Sequence, residues 1–301
     1  MTSQKISVRF FDDHEIRAVW DDVSGRWQFA VVDIVAALTE SANPGNYWRV
    51  LKNRLRAAGN ETVTKCNGFK LLANDGKRRQ TDCASQLDIL SLVESIPSAR
   101  TAKFVKWFVD SDESIDGTSR SRAYALYKSE AFANLKSGTV QALRQIHAWL
   151  FAGLYDFAGQ IRSVNIAKGN FVFAPVRFLP NTLELIENMP QETFDEIVDK
   201  YVEMNVAHPF REGNGRATRI WLDLILKRSL KRVVDWSQID KKDYLTAMTE
   251  RPLNSAKIRN LLRNALTDKI DDREIFMKGI DYSYYYESDD PALEPKERRR
   301  S

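Results

Sequence analysis

Cysteine and histidine are scarce in this sequence. There are two cysteines, Cys66 and Cys83, and three histidines, His14, His147 and His208, among 301 residues. Two cysteines without ligand-like spacing exclude a disulfide framework and a Cys-rich zinc site, and they fit a reducing, cytoplasmic setting. No apolar run approaches the roughly 18–20 residues of a membrane helix, so no membrane partner is expected. The start of the chain leads into Ile6–Phe11, which alternates like a strand and lacks the apolar block of a secretory signal. Thirteen glycines and nine prolines are too few for a low-complexity chain. A net charge of +4 names no partner by itself.

The composition is that of a globular protein, 43% hydrophobic and 29% charged, with chain enough for about two domains. Residues 6–33 read as strands: Ile6, Val8 and Phe10 alternate, Ile16–Trp20 follow, then Trp27–Val32. Asp33 is placed to cap a short helix, Ile34–Leu38. Asn43-Pro44-Gly45 precedes a helix over Tyr47–Ala58 that stops at Gly59. Phe69–Leu72 and an Asp75-Gly76 turn predict a hairpin, and helices are expected over Ser85–Glu94 and Ala99–Asp110. Residues 1–110 are thus an α+β domain.

The small, polar residues 111–121 read as a linker. From 122 to 288 the pattern is mainly α-helical, with helices over 122–135, 139–154, 180–188, 192–207, 216–229, 240–249, 254–266 and 271–287. Phe171-Val172-Phe173, following Lys168-Gly169-Asn170, interrupt it as a β-hairpin. The tail, 289–301, is charged and reads as disordered.

One stretch of twelve residues, His208 to Arg219, concentrates the chemistry. Gly213-Asn214-Gly215 forms a turn at a helix start, where free backbone N–H groups make an anion site. Arg216 and Arg219, three apart, share a helix face and can clamp phosphate oxygens. Glu212 supplies the single carboxylate that suits Mg²⁺ beside substrate phosphates. His208 offers a base that works near neutral pH. His147, between Ile146 and Trp149 in an apolar helix, reads as structural, and His14 sits in a strand loop without partners in sequence.

These residues resemble the Fic motif, His-x-Phe-x-(Asp/Glu)-Gly-Asn-Gly-Arg-x-x-Arg. His208, Phe210, Glu212, Gly213, Asn214, Gly215, Arg216 and Arg219 fill every defined position. Ile146–Phe151 and Leu154–Arg162 resemble the helix and loop before that family's substrate flap, and the resemblance spans about 122–288. It implies transfer of AMP from ATP to a Tyr, Thr or Ser hydroxyl of a protein. His208 would be the base, Phe210 a core anchor and Glu212 the Mg²⁺ ligand. Gly213, Asn214 and Gly215 would cradle phosphates, and Arg216 and Arg219 would bind the β- and γ-phosphates. The hairpin Lys168, Gly169, Asn170, Phe171, Val172 and Phe173 would be the flap to which a target segment adds as a strand.

The last helix, 271–288, carries Ser283 and Glu287 four residues apart, on one face. They resemble the family's inhibitory pattern (Ser/Thr)-x-x-x-Glu-(Gly/Asn), from which Ser288 departs. Glu287 would then occupy Arg219 and repel the γ-phosphate. Tyr282, Tyr284, Tyr285 and Tyr286 read as packing residues, with self-modification as a weaker alternative.

Between Arg49 and Arg79 nine basic residues face two acidic ones, with Tyr47, Trp48 and Phe69 nearby. Such a stripe is the footprint expected of DNA contact. Val31–Thr39, Asn46–Lys52 and Ile96–Ser98 resemble the Bro-N domain of phage antirepressor-like proteins, which implies a bacterial or phage setting. The expectation is an autoinhibited adenylyltransferase. Transfer of another phosphate-containing group, removal of AMP, and a DNA-binding regulator that senses nucleotide stay open. The sequence does not name the target protein, for which a type II topoisomerase is one candidate.

Overall fold

The computed structural model describes residues 6–59, 63, 66–73, 76–127, 129–168, 171–250 and 255–287. The chain divides into two units, Met1–Ser114 and Ile115–Ser301.

In the first unit, β1 (Ile6–Phe11), β2 (His14–Asp21) and β3 (Arg26–Ala30) form an antiparallel meander. They are followed by α1 (Val31–Thr39), α2 (Pro44–Ala57), β4 (Asn67–Leu72), β5 (Arg78–Ser85), α3 (Gln86–Val93) and α4 (Thr101–Glu113). The sheet order is β1-β2-β3-β5-β4, so the second hairpin joins the meander through β5. Phe11, Ile16, Phe29, Ile34, Trp48, Phe104 and Phe108 fill one core, with the Phe29 and Phe108 rings edge to face at 4.7 Å.

Local signals set most boundaries. The Asn43 side chain accepts from Asn46 N, with Pro44 at the first helical position of α2. Ser85 accepts from Asp88 N and starts α3. Asp33 departs from expectation. It lies inside the first turn of α1, which begins at Val31 and has no side-chain cap. Its carboxylate accepts instead from Arg17 N, Nε and Nη2 at 2.7–3.0 Å. A charged partner on the adjacent strand β2 holds the carboxylate more strongly than a backbone cap.

Residues 111–121 are not an irregular linker. Helix α4 runs through Glu113, and α5 (Ile115–Ala125) begins one residue after Ser114. Small polar residues did not decide here, because α5 buries Gly117, Ser119 and Ala123 against its own unit. The helix expected over 122–135 is broken into the end of α5 and a short α6 (Glu130–Ala133) that Ser129 caps.

The second unit continues with α7 (Val140–Phe151), β6 (Ala167–Lys168), β7 (Phe171–Val172), α8 (Leu179–Glu187), α9 (Phe194–Ala207) and α10 (Asn214–Leu230). Then come β8 (Val233–Val234), α11 (Lys241–Glu250), α12 (Ala256–Asn264), β9 (Leu266–Thr267) and α13 (Arg273–Tyr285). Helix α10 packs against α7, α9 and α13 and buries residues on all its faces, among them Ala217, Trp221, Leu222 and Ile225. A helix buried on all sides belongs in the middle of a bundle. The β8–β9 pair was not expected; two residues per strand leave no periodicity to read. Among the described residues, no helix is long and apolar enough to cross a membrane.

Candidate active site

The twelve residues lie at the junction of α9 and α10, in the middle of the helical unit. Helix α9 starts with a capping box, Thr193 with Glu196, and ends at His208, whose backbone is left-handed (φ 48°, ψ 66°). This turns the chain sharply out of α9 and presents the imidazole at the helix end. Nδ1 of His208 lies 3.4 Å from the Asn205 carbonyl, and donation to that oxygen makes Nε2 the lone-pair nitrogen. The ring stacks on Phe173 at 3.7 Å between centroids.

The loop that follows is held from inside. Asn214 clamps the backbone of Phe210: Oδ1 accepts from Phe210 N and Nδ2 donates to Phe210 O, both at 2.8 Å. Its side chain is therefore committed to shaping the loop, and only its backbone faces the helix start. Gly213 has φ 77°, and a Cβ there would run into the Phe151 ring at 2.5 Å. Conformation and space both require glycine at this position.

His147 is structural, as expected, but what it supports is this loop. Nδ1 accepts from Gly159 N at 2.9 Å, so Nε2 carries the proton and donates to the Glu212 carbonyl at 2.9 Å. The ring stacks on Phe210 at 3.8 Å. Burial pushes its pKa down to about 4, which keeps it neutral and in this tautomer near pH 7.

Arg162 has a role the sequence did not reveal. It is buried, and it donates through Nε to His208 O, through Nη1 to Val164 O and through Nη2 to Ala174 O and Ala207 O, at 2.5–3.1 Å. Arg162 N also donates to Pro209 O. One guanidinium thus ties both ends of the hairpin segment to the histidine turn. Burial lowers its pKa, and carbonyl oxygens replace the water it gave up. A signal did exist: an arginine in the loop Leu154–Arg162 that the family resemblance includes. Its carbonyl partners, up to 46 residues away, were not visible.

Arg216 and Arg219 are both buried at the start of α10. Arg219 donates through Nε to Ser283 Oγ (2.8 Å), through Nη2 to Ser283 O (2.8 Å) and Glu287 Oε1 (2.5 Å), and through Nη1 to Tyr244 OH (3.2 Å). Arg216 donates to Glu212 Oε1 at 2.8 Å and to Asp116 Oδ1. Burial alone would lower both guanidinium pKa values. The neighbouring acidic groups, chiefly Asp116 for Arg216 and Tyr244 and Glu287 for Arg219, raise them instead, so both stay cations.

Ser283 and Glu287 thus meet on Arg219, although Glu287 sits in the turn just past α13. A Cβ on Gly215 would collide with Glu287 Oε1, so that carboxylate lies directly against the first turn of α10. Tyr284 donates to Ser119 Oγ, and Tyr286 donates to the Trp236 and Ile239 carbonyls, which pins the end of α13. Those two hydroxyls are buried and engaged, as the packing reading of these tyrosines requires. Ser288 lies outside the described residues.

The hairpin forms with Ala167 opposite Val172 and Lys168 opposite Phe171. Phe173 continues it, its N–H bonded to Ile166 O at 3.4 Å and its ring against His208. Gly169 and Asn170 lie outside the described residues. Among those residues, no third strand joins this two-stranded sheet.

No group of three or more metal-ligating side chains occurs among the described residues. Glu212 accepts from Gly213 N and Arg216 Nη2 through the same oxygen, Oε1. One carboxylate beside an anion site fits a Mg²⁺ that arrives with substrate phosphates and keeps its waters. It does not fit an ion held by protein ligands alone.

In the first unit, Arg49, Arg54 and Arg56 on α2 and Lys70, Lys77, Arg78 and Arg79 on the second hairpin are exposed. Lys52 is not part of an open stripe: it pairs with Asp82 at 2.6 Å, and the same oxygen accepts from Trp48 Nε1 at 2.8 Å. Lys65, Glu61 and Asp75 lie outside the described residues.

Residues 137–226 match the family model of the Fic/DOC family. The protein adenylyltransferase VbhT of Bartonella schoenbuchensis is 31% identical over 140 residues, 42% of this chain and 29% of that protein. The probable protein adenylyltransferase Fic of Escherichia coli is 29% identical over 111 residues, 33% of this chain and 55% of that protein. The chain thus spans between 29% and 55% of the length of these relatives. Among solved structures, the BepC protein of Bartonella tribocorum with bound AMPPNP aligns with a TM-score of 0.44 and 21% identity. That alignment covers 52% of this chain and 85% of the other.

Proposed function

We propose that the helical unit is a Fic-type protein adenylyltransferase held in an inhibited state by its own C-terminal helix. The observation that carries this reading is the pair of buried arginines at the start of α10, beside His208, each holding a carboxylate. A buried guanidinium at a helix N-terminus is a phosphate-binding arrangement, and a carboxylate on it takes a phosphate's place. The relatives named as adenylyltransferases support the choice of ATP.

In this reading a target hydroxyl, presented along the hairpin 167–172, gives its proton to His208 Nε2 as its oxygen attacks the α-phosphorus of ATP. The bond from that phosphorus to the bridging oxygen breaks. Pyrophosphate leaves with its charge held by Arg216, Arg219 and the first N–H groups of α10. Glu212 would hold Mg²⁺, which offsets phosphate charge when bound. Positioning and electrostatics carry most of a phosphoryl or nucleotidyl transfer, and the motif consists of residues with those roles. Glu287 lowers the activity because it neutralises Arg219 and repels the γ-phosphate.

The test uses ATP labelled at the α-phosphate, with a bacterial lysate as the source of target protein. Label on protein should rise about tenfold or more in Glu287→Gly, the scale of one charged hydrogen bond, and vanish in the Glu287→Gly/His208→Ala double variant. Transfer from γ-labelled ATP alone would make the enzyme a kinase. Transfer from no nucleotide would end the reading.

The exposed arginines of α2 and the second hairpin support a further role, binding of DNA by the first unit. A gel-shift series from low to high salt checks it, because phosphate contacts weaken steeply as salt rises.

A further inference from the structure

Glu287 is not the only carboxylate on the phosphate arginines. Asp116, in the first turn of α5, accepts a hydrogen bond from Arg216 Nη1. The Arg216 side chain is 5% exposed and that of Asp116 55%, so the carboxylate covers a buried cation from the open side. Glu287 stands in the same relation to Arg219, at 24% against 3%. The Arg216 guanidinium lies over the Phe151 and Tyr284 rings at 5.0 and 5.4 Å, and its Nε is buried without a hydrogen-bond partner.

We propose that Asp116 is a second brake on the nucleotide site: it occupies Arg216 as Glu287 occupies Arg219, and a phosphate group must displace it. This rests on the reading of both arginines as nucleotide ligands. The placement of α5 explains how one helix serves both arginines. Ser119 accepts from Tyr284 OH at 2.8 Å, and Tyr124 OH donates to Asp281, so α5 is fastened to the helix that carries the first brake. Asp116 also follows the boundary between the two units, after Ser114, by two residues in the chain.

A positioning role would have the opposite sign. If Asp116 oriented Arg216 for a phosphate, removing it would weaken nucleotide binding. As a brake, its removal strengthens binding, because Nη1 of the guanidinium is freed and a negative charge leaves the neighbourhood of the phosphates.

The experiment is calorimetric titration of the full chain with ATP in the presence of Mg²⁺. The variants are wild type, Asp116→Asn, Glu287→Gly, the Asp116→Asn/Glu287→Gly pair, and Arg216→Gln with and without Asp116→Asn. Asp116→Ser guards against a local effect of the amide. Asp116→Asn and Asp116→Ser should tighten ATP about fivefold, the upper range for a half-exposed ion pair. The gain should persist in the Glu287→Gly background and disappear in the Arg216→Gln background. Unchanged or weaker binding in Asp116→Asn, with ATP still bound by Glu287→Gly, overturns this proposal and leaves the adenylyltransferase reading intact. A gain that survives Arg216→Gln overturns it too, since the effect would then be general charge. Absence of ATP binding in every variant removes the nucleotide reading, and the second brake falls with it.

Discussion

The face formed by α2 and the second hairpin and the core of the helical unit use positive charge in different ways. In the first, Arg49, Arg54, Arg56, Lys70 and Arg78 stand in solvent on α2 and the second hairpin. In the second, Arg162, Lys200, Arg216 and Arg219 are buried, at 2–4% exposure. A buried cation loses its water and needs a complete set of acceptors in return. Arg162 finds four carbonyl oxygens, and Lys200 bonds to the Glu187 and Met189 carbonyls and to Gln191 Oε1. Arg216 and Arg219 find carboxylates that belong to other elements. The difference separates cations held by backbone and amide oxygens from cations paired with carboxylates, and both kinds from cations on an exposed face.

Three measurements can sharpen or break this contrast. The largest effect is expected at Arg162. Arg162→Ala leaves its carbonyl partners buried without a donor and should lower the unfolding free energy by about 4 kcal/mol. Arg162→Lys should recover part of that stability in chemical denaturation and less of the label transfer measured in the Glu287→Gly background, since one ammonium cannot span the histidine turn and both hairpin ends. Equal recovery of both would make Arg162 a plain structural residue.

The second measurement concerns buried neutrality. The pKa of His147 falls to about 4 from an ordinary 6.5, with burial the main cause. The folded state therefore binds fewer protons than the unfolded state between these values. Its stabilising contribution is complete above pH 6.5 and is lost as pH falls towards 4, by about 3 kcal/mol over that range. Urea midpoints measured across this window should show the slope in wild type, and His147→Gln should flatten it. An unchanged slope would place the titration elsewhere.

The smallest effects on stability belong to the first unit. Arg49→Gln and Arg78→Gln should change the unfolding free energy by no more than about 0.5 kcal/mol, as exposed positions do. If the stripe touches DNA phosphates, each substitution also reduces the salt dependence of binding by about one unit of slope. A melting temperature far from wild type would show that these side chains are not the solvated kind.

The legibility of the chain follows the same division. Helix starts with a local cap, at Asn43, Ser85 and Thr193, fell near the expected starts because cap and donor lie within three residues of each other. Asp33 looked like one more cap, yet Arg17, sixteen residues earlier, claimed it. The polar run 111–121 looked like a linker, yet burial of Gly117, Ser119 and Ala123 made it helical. In the site, His208, Glu212, Arg216 and Arg219 were readable together because the motif is contiguous. Ser283 and Glu287 were readable through the family's spacing, and both do touch Arg219. Asp116 and Arg162 were not singled out, because neither has a partner nearby in sequence.

By itself, the sequence determined the elements proposed here to bind phosphate. A glycine turn, a helix start and two arginines three apart are set by backbone conformation and helical period, which act over a few residues. Tertiary structure decided whether those elements are occupied. Asp116 comes from 100 residues before Arg216 and Glu287 from 68 residues after Arg219. Charge pairing depends on distance in space, and only the packing of α13 on α10, and of α5 on α7 and α13, brings these carboxylates to the arginines.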